Sequence, residues 1–307
     1  MSKLIIIGNG FDLAHKIPTG YNNFRKYLID KYPDAYRNKG RVIDIDKIKD
    51  KKLIAVELML YALDHANGED WSNFESSLSI INFQDKFPRH EHREDPDEDN
   101  NTAAEYLIYI IKLTAIFENC VALWGTLLSE WISEIERTIE NHKYDSIDSI
   151  SRLLDGDVKI MTFNYTKTVQ NLYGKSGVKH IHNRVGQKLI FGHSTIDPSY
   201  QEDCYNSLGS NFLDEILEML YKDTEKQLSK YKDFFQNIRA DVKEVYSYGF
   251  SYGQSDVVYI KNIIERIGEN AIWYFTKFDY LKNKEFLRKT KIKLRRWGFK
   301  GKFGIFE

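Results

Sequence analysis

The chain has 307 residues, 44 basic and 45 acidic, and a net charge of −1, so it lacks the basic field that would recruit nucleic acid generally. With 42% hydrophobic and 29% charged residues it has a globular composition, long enough for one large domain or two small ones. Its two cysteines, Cys120 and Cys204, form neither a metal-ligand spacing nor a disulfide framework, which fits a reducing, cytoplasmic setting.

The first element is the apolar run Leu4-Ile5-Ile6-Ile7, which reads as a strand buried on both faces of a parallel sheet. Only these four apolar residues separate Lys3 from Gly8, too few for a signal-peptide core. Gly8-Asn9-Gly10-Phe11-Asp12 follows, a turn whose glycines let the backbone bend tightly and approach a ligand closely. A helix start after such a turn suits a phosphate. The third glycine of the dinucleotide fingerprint is absent, and Asp30, near the offset of its acidic residue, falls in a helical stretch. An ordinary NAD dehydrogenase is therefore not expected.

Helical periodicity covers Tyr21–Tyr32, Ile48–His65, Ser72–Ile81 and Ala103–Asn141. The apolar stretch Leu107–Leu128 carries Lys112, Glu118 and Asn119, so it reads as a buried helix rather than a membrane span. Lys86–Asn101 is charged and reads as a solvated loop. Strand patterns return at Val158–Phe163, Val178–His182 and Leu189–Phe191, then at Glu244–Phe250 and Ala271–Thr276 around an amphipathic helix, Asp256–Ile267. Pro198–Arg239 reads as helical. The alternation predicts an α/β fold: a doubly wound, mostly parallel Rossmann-like sheet in one domain, 1–307, with helical insertions at 20–155 and 198–240.

Polar segments follow several of these strands, where ligands of open α/β sheets bind. Asn164 can hold a water, a ribose hydroxyl or an amide, or else it or Thr166 caps a helix over Thr166–Tyr173. Alternation along the strand Val178–His182 puts His180 and His182 on one face; either is a candidate general base or a core histidine. Gly192-His193-Ser194 and Gly249-Phe250-Ser251 are two more glycine turns, and Ser255 or Asp256 is placed to cap the next helix.

The opening LIIIGNGFDLAHKIPTGYNNFRKYL, the segment WSNFESSL, TFNYTKTVQNLY, HIHN, FGHS and YGFSYGQSD together resemble the AbiH family of bacterial abortive-infection (phage-defence) proteins over nearly the whole chain. The motif order is also similar to a divergent sirtuin-type NAD-binding domain. That resemblance implies a first turn, Gly8 to Phe11 with Asn9 and Gly10, under the pyrophosphate, and Asn164 beside the nicotinamide ribose; Asp12 contacts a ribose or caps the first helix. It also implies His182 as catalytic base, with Ser251 and Asp256 at the glycine-serine and acidic positions of the late turn; Gly249 and His193, in glycine turns at strand ends, are further candidate ligand contacts from the residues themselves. Asn183 stands where that superfamily has glycine, and asparagine tolerates the left-handed conformation. The four-cysteine zinc module of protein deacetylases is absent.

The expectation is a cytoplasmic defence effector that binds NAD and hydrolyses its nicotinamide–ribose bond without a metal, answering to a phage-derived trigger. Three alternatives stand beside it: a sensor that binds NAD or ADP-ribose without turnover, a metal-dependent hydrolase or nuclease using His180, His182 and His193, and an interaction protein whose glycines merely turn strands. Neither a membrane nor general nucleic acid is an expected partner. The long helix fits a homo-oligomer interface or simple coverage of the sheet equally well.

Overall fold

The computed structural model describes residues 2–66, 68, 70–88, 101–141, 143–194, 210–238 and 242–306. Most of the charged stretch, Cys204 and the start of the second helical insertion lie outside the described residues. The chain divides into two compact units: residues 1–20, 129–190 and 223–307 form the first, and 21–128 with 191–222 form the second. Against the insertions expected at 20–155 and 198–240, residues 129–155 and 223–240 thus pack with the first unit.

The first unit is built on six parallel strands: β1 (Ser2–Ile7), β2 (Val158–Thr162), β3 (Lys179–His180), β4 (Val242–Tyr248), β5 (Ile272–Thr276) and β6 (Lys302–Phe306). Their order, β3-β2-β1-β4-β5-β6, is that of doubly wound Rossmann-like folds. β1 is central, and Leu4 to Ile7 are each 1% exposed or less, as the unbroken apolar run predicts. Its side chains feed two cores. Leu4 and Ile6 join Val245, Tyr259, Ile260, Trp273 and Phe275 on one side. Ile5 and Ile7 join Phe11, Ile160, Val169 and Tyr248 on the other.

Two expected strands change. β3 holds only Lys179 and His180, and Leu189–Phe191 is not a strand. The first ends at Asn183, which adopts the left-handed conformation (φ 63°) and turns the chain directly after His182. Its Nδ2 donates to the Lys188 carbonyl at 2.6 Å, and its Oδ1 accepts from Lys230 Nζ at 2.5 Å. β6 lay outside the sequence-based strands: it is an edge strand, half-exposed and interrupted by Gly304, so neither an apolar run nor clean alternation marks it.

The second unit is helical. Asp50 caps the helix Lys51–Asp64 by accepting from Lys52 and Leu53 amides, and that helix is buried on nearly every side. Trp124 donates its indole N–H to the Ala55 carbonyl at 2.7 Å. Glu75, from the WSNFESSL segment, pairs with the enclosed Lys222 at 3.0 Å. The helix Asn101–Glu140 buries Leu113, Phe117, Cys120, Trp124 and Leu127, whereas Leu107, Ile108 and Ile111 are exposed. The buried-helix expectation thus holds for its middle, not its beginning. From Ala104 onward it is, by length and composition alone, long and apolar enough to cross a membrane.

The sheet's two halves meet where the turn after β1 touches the turn after β4. Gly249 has φ +58°, and a Cβ there would overlap the backbone of Gly10 and Phe11. Gly156 has φ +85° with open space around it. Gly249→Ala is expected to cost about 2–5 kcal/mol, strain plus overpacking, and Gly156→Ala only the strain, about 1–2 kcal/mol. Urea unfolding of the two variants checks this; equal losses would remove the role given to the Gly249 contact.

Candidate functional site

Register places the motif segments on one rim. Ile7 pairs with Thr162 of β2 and with Tyr248 of β4, and Thr162 pairs with His180 of β3. One row of residues therefore closes the carboxyl ends of four strands. Gly8, Asn164, His182 and Gly249 all lie one or two residues beyond it. The strand order reverses between β1 and β4, the switch point at which such sheets form a ligand crevice.

Asp12 is the buried polar centre of this rim. It follows the β1 turn on the short helix Asn9–Ala14 and is 1% exposed. Thr168 donates its hydroxyl to Thr166 Oγ1 at 3.0 Å, and Thr166 donates to Asp12 Oδ2 at 2.7 Å. Burial pushes the Asp12 carboxyl up to about 6, against the opposing pull of Thr166, Thr168 and the Asn164 amide; the Glu136 carboxylate adds to the rise. Asp12 Oδ1 and Asn164 Nδ2 are both enclosed and lie outside tight hydrogen-bond geometry, with the Asn164 amide still acting on the Asp12 carboxyl. Such atoms are rare in folded chains and call for a reason.

Asn164 does not cap the helix Thr168–Tyr173, and neither does Thr166: the N-cap is Lys167, without a side-chain bond. Glu136 serves that end instead, accepting from the Lys167 amide at 2.9 Å and from Asn171 Nδ2 at 2.6 Å. Asn164 is held through its backbone. Its N–H donates to Thr162 Oγ1 at 3.1 Å and its carbonyl accepts from His180 Nδ1 at 3.0 Å. His180 Nε2 accepts from Gln170 Nε2 at 2.8 Å, so both ring nitrogens are engaged. Burial lowers the His180 pKa to about 4, which keeps the ring neutral. His180 is a structural histidine that fixes the Asn164 loop.

His182 lies in the turn beyond β3, 4% exposed. Its Nε2 meets Asp256 Oδ1 at 3.0 Å. Phe163 packs edge-on against the imidazole at 5.3 Å, with Tyr165 and Tyr259 each at 6.4 Å. Asp256 holds the N-cap position of the helix Val257–Ile264 but makes no side-chain cap bond there. Its carboxylate meets the imidazole, an arrangement that fixes a ring's orientation and tautomer.

The other expected site residues divide. The Gly8 N–H donates to the Tyr248 carbonyl at 3.0 Å, Gly10 N–H to the Gly249 carbonyl at 2.9 Å, and Phe11 N–H to the Gly8 carbonyl at 3.0 Å. These three amides are engaged, so the glycines serve close approach of two backbones as well as a turn. Asn9 Oδ1 accepts from Thr19 at 2.7 Å, and the Phe11 ring is core, against His15 and Tyr248. Ser251 is exposed beyond β4. His193 belongs to the second unit, where its Nε2 bonds the Leu217 carbonyl at 2.9 Å. No group of three metal-ligating side chains occurs among the described residues.

Sequence reading missed Thr166 and Thr168 as partners of Asp12, and Asp256 as the partner of His182. The first was readable in the spacing Asn164-x-Thr166-x-Thr168 after a strand. The second was not, since 74 positions separate the pair in the sequence and only the sheet order joins them.

The Asp12 shift carries a stability consequence. The folded chain keeps this proton up to about pH 6, whereas the ordinary carboxyl releases it near 3.8. Stability from this group therefore falls as pH rises between those values and stays lowered above them, by about 3 kcal/mol. Asp12→Asn is expected to raise the melting temperature at pH 8 and to leave it nearly unchanged at pH 4. A variant no more stable than wild type at pH 8 would contradict the buried-charge account.

No curated protein and no solved structure matches the chain. Residues 4–277 do match a family model, described as "Bacteriophage abortive infection AbiH". With most of its length covered, including the β1 turn, Asn164, His182 and Asp256, the chain belongs to the AbiH family of bacteriophage abortive-infection proteins.

Proposed function

We propose that this abortive-infection protein binds NAD at the carboxyl ends of β1 to β4 and hydrolyses its nicotinamide–ribose bond. The observation that supports the reading best is the His182–Asp256 pair, 3.0 Å apart and just beyond the sheet's closing row. The reaction asks for little acid catalysis, because nicotinamide leaves as a neutral pyridine when the C1′–N bond breaks. Water adds to the oxocarbenium-like carbon and gives up a proton, yielding ADP-ribose. His182 takes that proton, with Asp256 holding its ring. Asn164 orients the water or the ribose, and the Gly8–Asp12 and Gly249–Ser251 turns line the crevice. The protein acts in the cytoplasm and responds to a phage-derived signal.

A second reading is favoured by one feature: His182 and Asp12 are both enclosed. A sensor that binds the dinucleotide without turnover also fits an enclosed site. Incubation with NAD separates the two. Hydrolysis predicts free nicotinamide and ADP-ribose, the sensor a calorimetric binding signal with intact NAD. For hydrolysis, His182→Ala lowers kcat by about 10²- to 10⁴-fold, the worth of a general base. Asp256→Asn lowers it by about 10- to 100-fold with KM little changed, as expected when an orienting group is lost. An NADase whose kcat is indifferent to His182 would refute this mechanism, and absence of both cleavage and binding would refute the NAD reading altogether.

A further inference from the structure

We infer that the outward face of the helix Lys284–Arg296 is a docking surface for the phosphodiester backbone of a double-helical nucleic acid, read by charge and not by sequence. The inference goes beyond the rim and does not depend on what binds there. Seven of the thirteen residues of this helix are basic and one, Glu285, is acidic. The helix therefore carries +6 and the rest of the chain −7. The near-zero net charge of the whole conceals this asymmetry, and a basic stripe along one helix is the electrostatic footprint of a nucleic-acid surface.

Helical spacing puts Lys284, Arg288, Lys289, Ile292 and Arg296 on one side, and all five are exposed. Leu287, Thr290 and Leu294 occupy the opposite side and are buried. Two further cations are tied inward. Lys293 Nζ donates to the Tyr252 carbonyl at 3.3 Å, and Arg295 donates to the Phe299 carbonyl at 2.7 Å with its guanidinium over the Phe303 ring. On the helix itself the sole carboxylate is Glu285, which accepts two bonds from Arg288, each at 2.8 Å, and lies 3.8 Å from Lys289. Like charges recur four residues apart: Lys284 with Arg288, Lys289 with Lys293, and Lys291 with Arg295. Such pairs work against a helix, and a face kept only for solubility mixes both signs.

The chemistry of the face selects the occupant. Lys284 to Arg296 span about 18 Å at the rise of a helix. A duplex presents one phosphate charge for about every 1.7 Å of its axis, so several phosphates lie within that span. The guanidinium groups of Arg288 and Arg296 match phosphate oxygens. The one aromatic residue of the helix, Phe286, packs against the core, so the face offers no platform for stacking the bases of a single strand. A helix lying in a bilayer surface sinks an apolar side into it; here Leu287 and Leu294 are already in the core, and Ile292 alone of the large apolar residues on this helix is exposed.

Fluorescence anisotropy of the whole chain tests the inference with labelled DNA duplexes of two unrelated sequences, an RNA duplex and a single strand, beside sedimentation with vesicles of anionic and neutral phospholipid. Contacts from Lys284, Arg288, Lys289 and Arg296 predict that both DNA sequences bind alike and that affinity falls about 100-fold between about 50 and 200 mM salt. A preference for the RNA or the DNA duplex supports the inference and identifies the source. The triple variant Lys284→Gln, Lys289→Gln, Arg296→Gln is expected to bind about 10-fold or more weakly at the lower salt and to lose most of the salt dependence. Lys26→Gln, Lys31→Gln, Lys47→Gln removes the same charge from exposed positions of the second unit and is expected to leave duplex binding within about 2-fold of wild type. Thermal unfolding checks that both variants keep the fold. No duplex binding at the lower salt would overturn the inference, as would equal losses in the two variants, tighter binding of the single strand, or binding of the anionic vesicles alone.

Discussion

The close approach of two backbones at the centre of the sheet is the constraint on which the rest depends. A Cβ on Gly8 would lie 2.5 Å from the Gly249 carbonyl oxygen, and one on Gly10 would lie 2.6 Å from Gly249 Cα. Three glycines, two after β1 and one after β4, thus share a space that tolerates no side chain. Main-chain bonds from Gly8 to Tyr248 and from Gly10 to Gly249 lock the contact. Because the chain proceeds from β1 to β2 and β3 on one side and from β4 to β5 and β6 on the other, the contact lies at the floor of the switch point.

That floor determines what stands above it. The chain leaves Gly10 into a six-residue helix whose first turn buries Phe11 and Asp12 together. Phe11 has an apolar home among Ile7, Val169 and Tyr248. Asp12 does not, and so draws in the Thr166–Thr168 relay from the β2 side. On the β4 side the chain stays strained. Gly249 and Tyr252 both have positive φ, and Tyr252 is held there by burial against Phe250 and Trp273, whose indole donates to its hydroxyl. The return from this loop delivers Asp256 to His182.

Much of this was legible in the residues, and the limits have physical causes. The apolar run Leu4–Ile7 announces a central parallel strand because burial on both faces leaves no alternation. The register row explains why Gly8, Asn164, His182 and Gly249 could be taken as one rim: all follow strands of a single parallel sheet. Asn183 was readable as a left-handed turn because few other residues accept that conformation, and the structure gives it φ 63°. What stayed hidden depends on contacts between distant segments. Nothing near Gly8 or Gly10 reveals that their amides are taken by Tyr248 and Gly249. His180 and His182 look alike in H-x-H, yet one is tied to a carbonyl and an amide and the other to a carboxylate.

The difference between the two aspartates is the strongest argument that the rim has a use. Asp256 is buried opposite an imidazole, an arrangement that answers a carboxylate. Asp12 is buried with only neutral dipoles to answer its carboxyl, the Thr166 and Thr168 hydroxyls and the Asn164 amide. A fold selected for stability alone would place an amide or an apolar group there, since burial penalises the Asp12 charge more than its neutral partners repay. Local choices that work against stability concentrate where a chain must recognise or transform something. Asp12 works against stability at the one place in the sheet where topology already provides a crevice.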